Sequence, residues 1–105
     1  MKAEVYSKNK YFEAVIQLRP YDEEVVRFIE NQIKKRKNVF ISNVIKLKSG
    51  IDLYISSQKF ARTLGAKLKK TFKGEMKITK TLHTRDKLKS KDLYRATILF
   101  RLQRN

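Results

Sequence analysis

The chain has 105 residues and a formal net charge of +16, from 26 Lys and Arg against ten Asp and Glu. It contains no Cys, which excludes a disulfide framework and a thiolate zinc site within this sequence. No stretch approaches the roughly 18 apolar residues of a membrane span, and the first ten residues lack the apolar run of a signal peptide. We therefore expect a soluble, cytoplasmic protein.

A single domain is expected, because a chain of 105 residues with 41% apolar content can close one modest core rather than two. We assign residues 1–9 to a basic N-terminal extension and residues 10–103 to one α+β domain. The first predicted element is a strand from Tyr11 to Arg19, in which apolar and polar residues alternate. Its buried face is expected to consist of Phe12, Ala14, Ile16 and Leu18.

The first helix follows Pro20, which ends the strand. Asp22 is a suitable N-cap, and we expect the helix to run to about Lys37, with Asn38 stopping it. Acidic residues in the first turn and basic residues in the last turn both suit the helix dipole. The predicted apolar stripe is Val25, Val26, Phe28, Ile29 and Ile33.

A β-hairpin is predicted next, with its turn at Lys48-Ser49-Gly50. The apolar residues of its two arms are Val39, Ile41, Ile45 and Leu47, followed by Ile51, Leu53 and Ile55. Asn43 falls on the apolar phase of the first arm. Either a β-bulge shifts the register there, or the Asn43 amide is hydrogen-bonded internally.

The second helix can be capped by Ser56 or Ser57, and Gly74 terminates it. Its inward stripe is Phe60, Ala61, Leu64, Gly65, Leu68 and Phe72. Gly65 in the middle of a helix costs about 1 kcal/mol relative to Ala. This cost is tolerable if the helix backbone lies close to the sheet at that point.

Two strands complete the domain, with a polar loop from Thr84 to Asp92 between them. The apolar residues that share a face are Met76, Ile78 and Leu82 in the first strand, and Tyr94, Ala96, Ile98, Phe100 and Leu102 in the second. The element order predicts a two-layer α/β sandwich, ferredoxin-like βαββαβ with an additional C-terminal strand.

Right-handed crossovers place the first and third strands at the centre of the sheet and both helices on one face, with the last strand at an edge. The opposite face, the open sheet face, is expected to be polar and positive. Its predicted residues are Gln17, Tyr54, Lys77, Thr79, Thr81, Arg95 and Thr97.

The residue types of an enzyme active site are missing. A hydrolase needs a nucleophile beside a base, a pair of carboxylates or a metal site, and none of these clusters is visible in the sequence. His83 is the one histidine, and it falls on the phase opposite Met76, Ile78 and Leu82, as an exposed sheet residue would. We expect a non-catalytic protein without a cofactor or a small-molecule substrate.

The positive charge is concentrated in one part of the chain. Residues 39–105 contain seventeen Lys and Arg against four Asp and Glu, an imbalance that indicates a polyanionic partner, nucleic acid first. The expected RNA-binding residues are Lys59, Arg62, Lys67, Lys69, Lys70 and Lys73 on the second helix, Arg85, Lys87, Lys89 and Lys91 in the loop, and Lys77 and Arg95 on strands. The loop is expected to order on RNA.

Two alternatives stay open. The first is a protein-interaction domain that binds acidic partners through an exposed sheet edge or the first helix. The second is a single-stranded RNA binder, because RNA-recognition domains of this topology stack bases on aromatic residues of the central strands. Tyr54 could serve in this way, but the first strand offers Val15 where an aromatic residue is wanted.

Five ordered segments carry a resemblance to a known family. They are Tyr11–Arg19, Ser49–Ile55, Phe60–Gly65, Lys80–Asp86 and Asp92–Thr97. Together they resemble the nonsense-mediated-decay-three family over about residues 10–101. Its eukaryotic members are export adaptors of the large ribosomal subunit, and it has shorter archaeal relatives. The chain resembles an archaeal-type member.

The resemblance implies a protein that docks on the nearly finished large ribosomal subunit and helps its late maturation. The implied partners are ribosomal RNA, the large subunit and ribosomal proteins. The positions that carry over from the family are His83, Thr84, Arg85, Asp86, Tyr94 and Arg95. These residues would either contact RNA or hold the last hairpin together.

The sequence departs from the family in one respect. Family members carry paired CxxC zinc sites in an N-terminal region, whereas this chain has no Cys. Either the chain is a domain excised from a longer protein, or the zinc region has been lost. The eukaryotic C-terminal export signal is also absent, so export adaptor activity is not expected of this chain.

Overall fold

The computed structural model describes residues 5–86 and 91–103, with side chains described for residues 5–81 and 94–103. The elements are β1 (Ala14–Arg19), α1 (Glu23–Lys34), β2 (Ile41–Leu47), β3 (Gly50–Ile55), α2 (Gln58–Thr71), β4 (Gly74–Asp86) and β5 (Lys91–Leu102). They form a five-stranded mixed sheet with two helices. This confirms the predicted α+β class, a two-layer ferredoxin-like sandwich with an additional C-terminal strand.

The sheet order is β2-β3-β1-β5-β4, with β1 antiparallel to β3 and parallel to β5. The prediction that the last strand forms an edge is wrong, because β5 inserts between β1 and β4. Ala96, Ile98 and Phe100 of β5 are each 0% exposed, whereas β4 offers Met76 and Ile78 on that face and then a lysine. The more apolar strand therefore occupies the inner position under α2.

The helices pack side by side and run antiparallel. The Phe28 and Phe72 rings meet edge to face with centroids 5.4 Å apart. The Lys67 Nζ donates a hydrogen bond to Gln32 Oε1 at 3.2 Å. The buried residues of both helices join those of β1, β3 and β5 in a single core.

The first helix begins as predicted and ends early. Asp22 caps it by accepting a hydrogen bond from the Val25 N–H at 3.0 Å. The helix ends at Lys34 rather than at about Lys37. Ile33 is the last buried residue of its stripe, and residues 34–38 are all exposed, so further turns would bury no apolar surface.

Of the two candidate caps for α2, Ser57 is the cap and Ser56 has another role. The Ser57 Oγ accepts a hydrogen bond from the Phe60 N–H at 3.1 Å. Ser56 is buried, and its hydroxyl accepts a hydrogen bond from the Phe40 N–H at 3.0 Å. It thereby ties the end of β3 to the residue before β2.

Gly65 lies where α2 is closest to the sheet. A Cβ atom at this position would lie 2.8 Å from Met76 Sδ and 3.2 Å from Ile98 Cγ2. The prediction that the helix backbone approaches the sheet at Gly65 is therefore confirmed.

The strand β1 begins at Ala14, later than predicted, because the chain bends at Glu13. The Glu13 Oε1 accepts a hydrogen bond from the Gln58 N–H at 2.9 Å, at the start of α2, where backbone donors lack helical partners. The bend turns Phe12 onto the open sheet face against Tyr54. The prediction that Phe12 belongs to the buried face is wrong.

A β-bulge in β2 decides between the alternatives for Asn43, since the register shifts between Ile41 and Asn43. Ile41 stays buried, but Ile45 and Leu47 are 38% and 45% exposed and lie on the open sheet face. The prediction that these two residues share a buried face with Ile41 is wrong. The extra residue of the bulge inverts the alternation.

The last two strands form a long hairpin, and the prediction of a loop from Thr84 to Asp92 is wrong at both of its ends. β4 continues to Asp86 and β5 begins at Lys91, with Arg85 paired to Asp92. Residues of opposite charge also occupy the paired positions Asp86 and Lys91.

Residues 5–7 lie along the outer edge of β2. The Ile41 N–H donates a hydrogen bond to the Val5 carbonyl at 2.7 Å, and Val5 is 1% exposed. The Tyr6 hydroxyl donates a hydrogen bond to Glu30 Oε2 at 2.5 Å. Burial, and then this bond, raise the pKa of Tyr6 well above its usual value.

Candidate nucleic-acid interface

The second helix carries a dense layer of cations on the faces that do not pack against the core. Its sequence contains no Asp or Glu. The six predicted cations of this region are Lys59, Arg62, Lys67, Lys69, Lys70 and Lys73, of which the five lysines are exposed and Arg62 is partly buried. We call these six residues the helix surface.

Helical geometry distributes the helix surface over three sides of α2. Lys59 and Lys70 lie opposite the buried stripe and are separated by about 16 Å along the axis, at 1.5 Å per residue. Lys67 lies on the side of α1. Arg62 and Lys69 lie on the side of Gly65, toward β4 and β5. The positive layer is therefore broad rather than a single line.

The end of α1 extends the same positive region. The Arg36 guanidinium lies 5.4 Å from the centroid of the Phe60 ring, at the start of α2. Lys34, Lys35 and Lys37 are also exposed there. These four cations are not among the predicted interface residues, because only the antiparallel packing of the helices brings the end of α1 beside α2.

Lys77 and Arg95 lie on the other side of the molecule. The strand register confirms the predicted members of the open sheet face: Gln17, Tyr54, Lys77, Thr79, Thr81, Arg95 and Thr97. Val15 and Leu99 lie on this face too, beside the exposed Ile45 and Leu47. The expectation of a polar and positive face is therefore wrong in part, and the predicted interface residues divide between two opposite surfaces.

An aromatic cluster of Phe12, Tyr54 and Arg95 lies at one end of the open sheet face. The Phe12 and Tyr54 rings meet edge to face with centroids 4.7 Å apart and planes at 79°. The Arg95 guanidinium carbon lies 3.8 Å from the Phe12 centroid, and Arg95 Nε donates a hydrogen bond to the Phe12 carbonyl at 3.0 Å. Sequence reasoning missed this cluster because it placed Phe12 in the core.

The other end of the open sheet face carries two arginines. Arg19 forms an ion pair with Asp52 at 2.8 Å and donates to the carbonyl oxygens of Leu18 and Ile51 at 3.0 and 3.2 Å. Arg101 is exposed nearby. A shallow depression of about 510 Å³ lies here, lined by Gln17, Arg19, Pro20, Ser49, Leu99 and Arg101.

Residues 11–102 match the family described as NMD3, second domain. The chain belongs to the NMD3 family. This confirms the resemblance noted in the sequence. No curated protein matches the chain.

The NMD3 motif residues fall on the hairpin of β4 and β5. Thr84, Arg85 and Asp86 lie on β4, and the strand register shifts at His83, between Leu82 and Thr84. Lys91 begins β5. The side chains of these residues lie outside the described part of the structure. The predicted interface residues Lys87 and Lys89 lie outside it entirely.

Tyr94 is the motif residue that contacts the body of the NMD3 domain on the helix side. Its ring is 43% exposed, with Lys80 Nζ 5.7 Å from the centroid. The Gln58 side chain donates a hydrogen bond to the Tyr94 carbonyl at 3.3 Å. Tyr94 and Arg95 therefore link the hairpin to the start of α2 and to Phe12, on opposite faces of the sheet.

Residues 5–86 and 91–103 contain no group of three or more His, Cys, Asp and Glu that could hold a metal ion. Neither helix in this part of the chain has the length and apolar character needed to cross a membrane.

Proposed function

We propose that this NMD3 domain is a non-catalytic RNA-binding module that docks on the large ribosomal subunit during late maturation. The helix surface would contact ribosomal RNA phosphates. The observation that carries the proposal is the composition and exposure of α2, which contains five cations and no acidic residue and is followed, two residues after its end, by the exposed Lys73. A surface of this kind repels itself unless it meets a polyanion.

Family membership supports the ribosomal part of the proposal. NMD3 membership over residues 11–102 fits a ribosome-associated role in biogenesis. The large subunit and its RNA are the partners that agree with both the family and the charge. Cytoplasmic maturation intermediates are the expected location of this interaction.

The geometry favours contacts to phosphates rather than to base edges. The A-form major groove is deep and narrow, and side chains of a helix cannot read bases in it. Lysine is a flexible point charge suited to phosphate. Five of the six helix-surface residues are exposed lysines, which indicates recognition of backbone shape and charge.

The test is a titration with large-subunit RNA at two salt concentrations. Six phosphate contacts would lower the affinity by about a thousandfold between 50 and 200 mM salt, because each contact releases condensed counterions. We expect the variant Lys69→Gln/Lys70→Gln to weaken binding and to reduce the salt slope by roughly 2.

The matched control is Lys46→Gln/Lys48→Gln, which removes the same charge from two exposed lysines of the β2–β3 hairpin. Its salt slope should stay close to that of the unaltered protein. Undetectable or salt-independent RNA binding by the unaltered protein would refute the proposal. Equal losses in both double variants would show that net charge, and not the helix surface, governs binding.

A second candidate function is a protein-interaction domain for acidic ribosomal or processing factors. The observation that favours it is β4, an edge strand on which Ile78 is 41% exposed; the exposed Tyr94 of β5 lies on the same face, opposite Leu82. Exposed strand edges bind extended segments of partner proteins. Capture of a ribosomal partner that survives nuclease treatment would support this candidate over RNA docking.

A further inference from the structure

The open sheet face is available to a ligand along its whole length. The buried helix residues pack against the opposite face, where Ala14, Ile16 and Leu18 of β1 are each 0% exposed. In the described part of the chain, no helix crosses the side that carries Val15 and Gln17. This face is distinct from the helix surface.

The aromatic cluster is held together by contacts among its own side chains. Arg95 is held to Phe12 by a hydrogen bond of 3.0 Å and by stacking at 3.8 Å, and the Phe12 ring is held against Tyr54. Bases of single-stranded RNA stack on aromatic rings and on guanidinium planes. A preformed cluster of both kinds saves the cost of ordering side chains on binding.

The cluster lies at one end of a track of suitable length. Arg95 and Arg101 lie on the same face of β5, six residues apart, which is about 20 Å at 3.3 Å per residue. Sheets of similar size stack two or three bases. Between the two arginines lie hydroxyl and amide groups that can bond base edges, those of Gln17, Thr79, Thr81 and Thr97.

The charge of this face selects nucleic acid over an acidic or apolar protein segment. Asp52 is neutralised by its ion pair with Arg19 at 2.8 Å. Lys77 and Arg101 are exposed and lie about 13 and 20 Å from the Arg95 level in the same direction, where they can meet phosphates that follow a stacked base. Glu75 is paired with Arg101 on this face, which stays net positive. The depression of about 510 Å³ on this face is shallow and lined by two arginines, and the aromatic cluster at the other end offers stacking that suits a base rather than an acidic side chain.

We infer that the open sheet face is a second RNA site, one that binds a single-stranded segment of two or three nucleotides with a base stacked on the aromatic cluster. The inference rests on the proposed function and deepens it. The helix surface binds phosphates of structured RNA, and the open sheet face holds an unpaired stretch. The two sites lie on opposite sides of the sheet.

The experiment compares Tyr54→Thr with Tyr21→Thr as the control. Both replace a tyrosine by threonine, but Tyr21 is 46% exposed and lies beside Tyr6 and the first turns of α1, away from the open sheet face. The probes are a ten-nucleotide single strand with one 2-aminopurine and a duplex of the same sequence. Stacking on the cluster should change the 2-aminopurine fluorescence of the single strand.

We expect Tyr54→Thr to weaken single-strand binding about tenfold, as loss of one stacked base does, and duplex binding less than about twofold. Tyr21→Thr should leave both within about twofold. Arg101→Gln, at an exposed position, provides a variant that does not depend on the aromatic packing. It should lower the salt slope for the single strand by about 1 and leave the duplex slope unchanged.

The outcomes separate the two proposals. If Lys69→Gln/Lys70→Gln weakens binding of both probes while Tyr54→Thr and Arg101→Gln change neither, the single-strand site is refuted and the proposed function stands. Failure of the unaltered protein to bind either probe would refute both. Capture of a ribosomal protein that Tyr54→Thr abolishes in the presence of nuclease would replace the RNA site by a protein site and overturn the inference.

Discussion

The close approach of α2 to the sheet at Gly65 makes a stability prediction that depends on two opposing effects. Replacing Gly65 by Ala raises helix propensity by about 1 kcal/mol. The new Cβ would lie 2.8 Å from Met76 Sδ and 3.2 Å from Ile98 Cγ2, both closer than ordinary contacts. Overpacking of this kind costs about 1–3 kcal/mol. We therefore expect Gly65→Ala to lower the free energy of unfolding by about 1 kcal/mol.

The sign of this effect should depend on Met76, because the sulfur is the nearer of the two contacts. In a Met76→Ala background the sulfur is gone, and Ile98 Cγ2 at 3.2 Å needs to move only a few tenths of an ångström. We expect Gly65→Ala to be neutral or stabilising by about 1 kcal/mol in that background. Urea unfolding of the four proteins, followed by circular dichroism, gives the coupling energy directly.

A result in which Gly65→Ala stabilises both backgrounds equally would refute the reasoning. It would mean that no contact between α2 and the sheet limits the size of the side chain at position 65. A coupling energy of at least about 1 kcal/mol between the two positions is the value that the distances require.

Two further predictions concern polar contacts of partly buried groups. Asp52→Asn should lower the free energy of unfolding by about 1–2 kcal/mol, because it leaves Arg19, whose side chain is 19% exposed, without its charge partner at 2.8 Å. In urea unfolding, an Arg19→Met/Asp52→Asn double variant that loses no more stability than Asp52→Asn alone would confirm the coupling. Strictly additive losses would contradict it. Tyr6→Phe should cost about 1 kcal/mol through loss of the bond to Glu30. The pKa of Tyr6 is raised in the folded protein, so its contribution is present below the unfolded pKa of about 10 and is lost as pH rises above it. The free energy of unfolding, measured from pH 8 to 11, should therefore fall more steeply with pH for the unaltered protein than for Tyr6→Phe. Parallel curves for the two proteins would contradict this.

The elements themselves could be predicted because each buried face is marked in the sequence. The stripe of α1 ends at Ile33, and that of α2 includes Gly65, as expected from residue spacing. The alternation in β5 is equally clear. Local spacing is sufficient for such features, since a helix or strand buries whichever face is apolar.

The order of β4 and β5 needed tertiary information. Each strand shows an alternating pattern, and a hairpin alone does not reveal which arm lies inside. The exposed Ile78 of β4 and the buried Ile98 of β5 are paired residues of the same type. Ile98 is buried because α2 packs mainly on β5, whereas the alternation of residues is the same in both strands.

The candidate sites were predicted in part for a similar reason. The cations of α2 are visible individually, but the contribution of Arg36 depends on its position beside Phe60. In the sequence, Phe12 follows the alternation of β1. In the structure the chain bends at Glu13, whose side chain accepts a hydrogen bond from the Gln58 N–H, and Phe12 lies on the open sheet face. A single side-chain contact 45 residues away in the chain has no signature in local spacing.

The position of β5 has a consequence for synthesis on the ribosome. β1 pairs along its length with Ala96–Arg101, so this strand waits for a segment that is synthesised much later. Until then one long side of β1 has no neighbour, and the apolar residues meant for the core remain uncovered. The nascent domain is therefore expected to acquire its native structure only after β5 has left the exit tunnel, in one late step.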